Sequence, residues 1–233
     1  MTLEEKQPLT HEQLRAWPAL ASYVDALSRL SPGKVICEQG DDADPDTLRA
    51  ATTSAVTLPH GQETWTIRVE KPAEGNGNGP PNWREPTLAR MLAAMQENLG
   101  DPKALKQWPS AVKATWQLVT EHPTRAMTLA EVSNCVNLSA GYLGEQFERV
   151  TGSSFKRILR DERIAYSCEL LENSNMRVAE IASRLGGLSL SQFNRSFVAA
   201  TGHSPTDWRR HFARRRGSSA GALPPGSNAE YRG

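Results

Sequence analysis

Apolar residues recur at helical spacing over several stretches of the chain and alternate with polar ones over a few others. Leu14, Trp17, Leu20, Tyr23, Val24, Leu27 and Leu30 keep helical spacing. Pro18 interrupts them, so a helix is expected from about Pro18 until Pro32-Gly33 stops it. Residues 34–37 and 64–70 read as strands. In the second, Trp65, Ile67 and Val69 alternate with Thr64, Thr66 and Arg68. Residues 55–59 form a weaker strand pattern. After Pro86 a stripe of Leu88, Met91, Leu92, Met95 and Leu99 predicts a helix ending before Gly100-Asp101-Pro102. The stripe is shorter than two heptads, which favours packing within the chain over a two-helix dimer seam.

The second half repeats itself. Residues 128–139 align with 177–188 at an offset of 49, matching Ala130, Glu131, Val132, Val136 and Asn137 with Ala179, Glu180, Ile181, Leu185 and Gly186. After a one-residue insertion, Leu143, Phe147, Thr151, Gly152 and Ser154 match Phe193, Phe197, Thr201, Gly202 and Ser204. Each copy reads as helix, tight turn, helix. Thr128 with Glu131, and Ser189 with Gln192, have capping-box spacing, and Ser139 caps a helix that buries Leu143, Phe147 and Val150. Asn137 and Gly186 stand where the chain must take a left-handed turn. A longer helix over 153–173 joins the copies. Ser204-Pro205-Thr206-Asp207 opens a last helix carrying Trp208, Arg209 and Arg210. Two bihelical units of this kind are helix-turn-helix signatures, at 128–150 and 177–200.

Composition sharpens this picture. Residues 1–107 hold 11 Lys/Arg and 15 Asp/Glu, a net of −4; residues 108–216 hold 15 and 10, a net of +5. The halves are expected to have different partners, and the basic half suits a polyanion. Residues 74–82, EGNGNGPPN, have linker composition, and residues 214–233 form a basic and polar tail expected to be disordered. No apolar run is long enough for a membrane span, and the acidic first twenty residues do not read as a secretory signal. Three cysteines are too few for a disulfide framework, so a cytoplasmic location is expected. Cys135 and Cys168 are expected as small buried apolar residues, and Cys37 has no assigned place in the core.

No enzyme is expected. The chain has no phosphate-binding glycine loop ahead of a helix and no Gly-x-Ser-x-Gly elbow. Its histidines, His11, His60, His122, His203 and His211, lack metal-ligand spacing, and the acidic run Asp41, Asp42, Asp44 and Asp46 lacks the glycine and distal glutamate of a calcium loop. No catalytic residue, metal or cofactor is assigned.

Residues from about 110 to 212 resemble the DNA-binding domain of AraC/XylS-type transcriptional regulators, most specifically in LSQFNRSF and TGHSPTDWRR. The resemblance implies a mainly α chain: a seven-helix C-terminal domain at 108–213, with two helix-turn-helix units joined by a linker helix. Ahead of it would lie a small α+β region at 1–73 with a candidate sensing role and a connecting helix at 83–107. It implies double-stranded DNA as partner, read by two recognition helices in successive major grooves about 34 Å apart. RNA polymerase, a small-molecule effector and a second copy of the chain stay open as further partners.

Carried over by position, the DNA-facing residues are Leu190, Ser191, Asn194 and Arg195 in the second unit. In the first they are Ser139, Ala140, Gly141, Gly144 and Glu145. Lys156, Arg157, Arg160, Arg209 and Arg210 are phosphate candidates. Small or acidic side chains in the first unit predict less base readout there, and Gly187 stands where the family carries a large apolar residue. Those departures leave an alternative: a ligand-sensing or protein-binding adaptor that keeps the fold with weak DNA affinity.

Overall fold

The computed structural model describes residues 17–31, 34–39, 52–60, 63–70, 84–99 and 107–211. The expected linker at 74–82, the acidic run at 41–46 and the tail at 214–233 lie outside the described residues. The elements in chain order are α1 (Pro18–Leu30), β1 (Val35–Gln39), β2 (Thr52–His60), β3 (Glu63–Glu70), α2 (Glu85–Leu99), α3 (Ser110–Glu121), α4 (Leu129–Cys135), α5 (Ala140–Thr151), α6 (Phe155–Asn173), α7 (Val178–Arg184) and α8 (Leu190–Thr201). A last helix, α9, is described over residues 205–211. The fold is mainly helical, and seven of the helices, α3 to α9, fall in the C-terminal half.

The sheet has the order β1-β3-β2, all antiparallel, with Cys37 opposite Ile67 and Leu58 opposite Trp65. The weak strand pattern at 55–59 lies in the nine-residue β2. Trp65, Ile67 and Val69 are buried, as the alternation predicts. Thr66 on the opposite face is buried too, as befits the central strand. Cys37, unassigned from the sequence, is buried among these residues because β1 pairs it with β3.

The chain divides into two compact units, residues 1–163 and 164–233, with the divide inside α6. Reading the sequence puts the boundary near 107/108, with α2 as a connector. The packing differs. Leu88, Met91, Leu92, Met95 and Leu99 of α2 share one buried cluster with Leu20, Tyr23 and Leu27 of α1, Ile67 of β3, Trp116 of α3, and Leu143 and Phe147 of α5 in the first helix-turn-helix. The apolar stripe of α2 is thus covered by its own chain. Edge-on aromatic contacts run from Tyr23 to Trp108 and from Trp108 to Trp116, at 5.1 and 5.8 Å between ring centroids.

The second unit is built on Ile164, Cys168, Leu171, Ile181, Leu185, Phe193, Phe197 and Trp208, all buried. Phe193 tilts against Phe197, and Phe197 meets Trp208 edge-on at 5.7 Å. Cys168 is buried as expected, but Cys135 is exposed. It is the last residue of α4, whose buried residues are Val132 and Ser133. Its repeat partner, Arg184, is also exposed.

Candidate nucleic-acid interface

Each unit presents a short helix, a left-handed turn and a capped second helix. In the first, the Thr128 hydroxyl accepts the Glu131 N–H at 3.2 Å, and Glu131 Oε2 accepts the Thr128 N–H at 2.7 Å. These bonds, above all the backbone N–H of Thr128, hold the Glu131 carboxyl below its ordinary pKa. In the second unit, Arg177 offers no acceptor at the cap, and only the returning bond is made, from the Arg177 N–H to Glu180 Oε2 at 2.9 Å. The turn residues Asn137 (φ 55°) and Gly186 (φ 74°) both have positive φ, as their alignment requires.

The second helix of each unit starts on a serine. Ser139 Oγ accepts the Tyr142 N–H, and Ser189 Oγ accepts the Gln192 N–H, each at 3.2 Å. Gln192 returns a bond by accepting the Ser189 N–H at 3.2 Å. Both helices end on the same threonine–glycine pattern. Thr151 and Thr201 donate their hydroxyls to Phe147 O and Phe197 O at 2.8 Å, and Gly152 and Gly202 adopt left-handed C-caps.

The positions assigned to DNA fall into two kinds. Gly141 and Ser191, and Glu145 and Arg195, are exposed in both copies; Leu190 is 44% exposed, and Ala140 is half-buried. The pair Gly144 and Asn194 differs. A Cβ on Gly144 would lie 3.0 Å from Leu129 Cδ2, so this position faces the unit's first helix. Asn194 is half-buried, and its Oδ1 is enclosed without a hydrogen-bond partner. Ser139 and Ser189 are exposed and serve as caps. Gly187 is exposed at φ 75°, with open space where a Cβ would stand.

Among the phosphate candidates, Lys156 is exposed and Arg157 half-buried. Arg160 holds Asp161 Oδ1 through Nη2 at 2.7 Å and Nε at 3.0 Å. Arg209 donates to the carbonyls of Leu171 and Met176, at 3.3 and 2.5 Å, which ties α9 to the end of α6. Arg210 pairs with Asp207 at 3.2 Å on the surface.

Two features escape the sequence reading. Tyr142 is 52% exposed on the first turn of α5. Asp161, on the buried stripe of α6, accepts the Thr87 hydroxyl at 2.7 Å, while Arg84 bridges Glu162 at 3.2 Å and the Arg29 carbonyl at 2.8 Å. A polar residue standing in an apolar stripe, as both Thr87 and Asp161 do, is the signal that could have revealed the second.

The model of a family described as "Helix-turn-helix domain" matches residues 132–211. This is an AraC/XylS-type helix-turn-helix domain. Its curated relatives include the arabinose operon regulatory protein of Salmonella typhimurium, 29% identical over 129 residues, covering 55% of this chain and 44% of that protein. The melibiose operon regulatory protein of Escherichia coli is 30% identical over 98 residues, covering 42% and 32%. Among solved structures, the C-terminal domain of AraT, a response regulator from Geobacillus stearothermophilus, shares 30% identity at a TM-score of 0.43, covering 44% of this chain and 86% of that one. The chain spans less than half the length of these curated relatives. Among the described residues, no helix is long and apolar enough to cross a membrane, and no three His, Cys, Asp or Glu side chains gather as a metal site would need.

Proposed function

We propose that the AraC/XylS-type domain binds double-stranded DNA in a sequence-specific way and that the protein regulates transcription. Both helix-turn-helix units would read it, each from one major groove. The observation that carries this reading is the duplicated geometry: two serine-capped helices that each leave equivalent first-turn and second-turn positions, 141/191 and 145/195, exposed. The relatives, named as operon regulators, support it.

Within the second unit, Arg195 would contact guanine or phosphate, and Leu190 a thymine methyl. Ser191 would hydrogen-bond a base edge or phosphate. Asn194 would act only after its amide turns outward. Lys156 and Arg157 would neutralise phosphate without reading sequence, whereas Arg209 and Arg210 would first have to leave the partners described above. Ser139, Ala140 and Gly141 would let the first helix approach closely, and Glu145 on its outward face would sit near phosphate, where its charge is unfavourable. Effector, RNA polymerase and a second copy of the chain are further candidate partners, and a cytoplasmic location follows from this role.

Selection from random-sequence duplexes, followed by mobility-shift titration at several salt concentrations, tests the proposal. A selected site that Arg195→Ala weakens supports it; equal binding to all sequences by the wild-type chain overturns it. One observation favours a second reading, a protein-binding adaptor with weak DNA affinity: Glu145 places an exposed carboxylate on the first unit's outward face. Co-purification of a stoichiometric protein partner with no selected DNA would favour that reading.

A further inference from the structure

The first reading helix is short of side chains that can discriminate bases. Ala140 and Gly141 are small, Gly144 is turned toward Leu129, and Glu145 is an exposed acid whose charge phosphates would repel. Tyr142 is the large side chain that remains, and half of its surface is exposed. A single exposed aromatic residue is ordinary in itself. Its position is not. The repeat partner of Tyr142 is Gln192, whose side chain accepts the Ser189 N–H and closes a capping box. Tyrosine lacks a carbonyl to return such a bond, so the first reading helix forgoes half of the cap that the second one makes. Departures from local rules are expected at functional or strained sites. The polar flank of the same helix is ordered beside it: Arg149 Nη2 donates to Gln146 Oε1 at 2.6 Å, one and two turns further on.

Resting on the DNA-binding reading above, we propose that Tyr142 is the specificity-determining residue of the first unit. Its ring packs against the C5-methyl group of one thymine in the major groove. Apolar contact is the means by which the groove distinguishes thymine from cytosine without a hydrogen bond. A tyrosine ring loses little conformational freedom when it docks, having two side-chain torsions to fix.

The test uses the full-length chain and the duplex obtained by selection. Each thymine of the site is replaced in turn by deoxyuridine, which removes the methyl group and nothing else. Wild-type affinity is expected to fall about fourfold at one thymine in the half facing the first unit, the value of one buried methyl group. Tyr142→Ala is expected to lose that penalty and to bind both duplexes equally, whereas Tyr142→Phe keeps it. Arg195→Ala, acting on the other unit, leaves the deoxyuridine penalty intact. If a site is selected but Tyr142→Ala retains every deoxyuridine penalty, or Tyr142→Phe loses as much as Tyr142→Ala, the role of Tyr142 is overturned while DNA reading stands. If no site is selected at all, both fall. Tyr142 is exposed, so unchanged thermal unfolding of the variants separates loss of contact from loss of fold.

Discussion

Gly152 and Gly202 end their helices with the same left-handed turn, at φ 71° and 74°, yet their surroundings differ. A Cβ on Gly152 would lie 2.3 Å from the carbonyl oxygen of Arg90 and 3.2 Å from the Ala94 Cβ, whereas nothing lies within 4 Å of one on Gly202. Gly202→Ala therefore meets the left-handed penalty alone and is expected to lower stability by about 1 kcal/mol. Gly152→Ala adds a collision with backbone and is expected to cost about 3 kcal/mol. Urea unfolding of the two variants checks the difference; equal losses would mean that α2 does not press on this turn. Glu131 gives a pH prediction. Its folded carboxyl lies below the ordinary value of 4.5, so the charged cap stabilises the fold above that pH. The contribution is lost as pH falls through the lowered folded pKa. Glu131→Gln keeps an acceptor without the charge. The gap in melting temperature between wild type and this variant is expected to be largest near neutrality and to close in strong acid. A gap independent of pH would refute the charged cap.

The two reading helices also differ at their C-terminal ends, where a helix leaves four carbonyls unpaired. In α5 three of them, on Glu148, Arg149 and Val150, are met, and Phe147 O just before them takes a further donor. Phe147 O takes the Thr151 hydroxyl, Glu148 O the Gly152 N–H, Arg149 O the Asn98 side-chain amide at 2.9 Å, and Val150 O the Tyr23 hydroxyl at 2.7 Å. The first two bonds recur in α8; the last two come from α2 and α1, elements outside the repeat. Burial drives the Tyr23 phenol to a raised pKa, so it remains a donor through the physiological range. Tyr23→Phe removes the donor and leaves the Val150 carbonyl buried. The expected cost is about 2 kcal/mol, read as a lower urea midpoint with an unchanged slope. A variant as stable as wild type would show that this grip contributes nothing. The helices themselves were legible as periodicity, and the Asn137 turn was legible because Gly186 aligned with it. The grip was not. Tyr23 and Asn98 lie 127 and 51 residues from the carbonyls they meet, and periodicity carries no record of which surface a helix will find. The exposure of Cys135 was within reach, since the repeat aligns it with Arg184. The inward aim of position 144/194 depends on a 3.0 Å approach to Leu129 that spacing alone does not reveal.

At the scale of the whole molecule the question is how a chain with a net charge of +1 would hold a polyanion. The local answer is the distribution of charge on the outward faces, where one unit carries Arg195 and the other Glu145 at the equivalent exposed position. Affinity for DNA comes largely from counterions released as phosphates are neutralised, so it falls with salt in proportion to the charges engaged. An acidic side chain facing the same phosphates opposes that release. Glu145→Gln is therefore expected to tighten binding a few-fold at low salt, by about the amount one surface charge contributes, with the gain shrinking as salt rises. Arg195→Ala is expected to weaken binding and, where the guanidinium reads a guanine, to erase roughly tenfold discrimination at one base pair. The two variants act on separate units, so their effects are expected to add in the double mutant. Titrations of all four proteins against the selected duplex at a series of salt concentrations measure both quantities. If Glu145→Gln leaves the affinity unchanged at every salt concentration, the carboxylate does not face phosphate, and α5 does not enter the groove by its N-terminal turns.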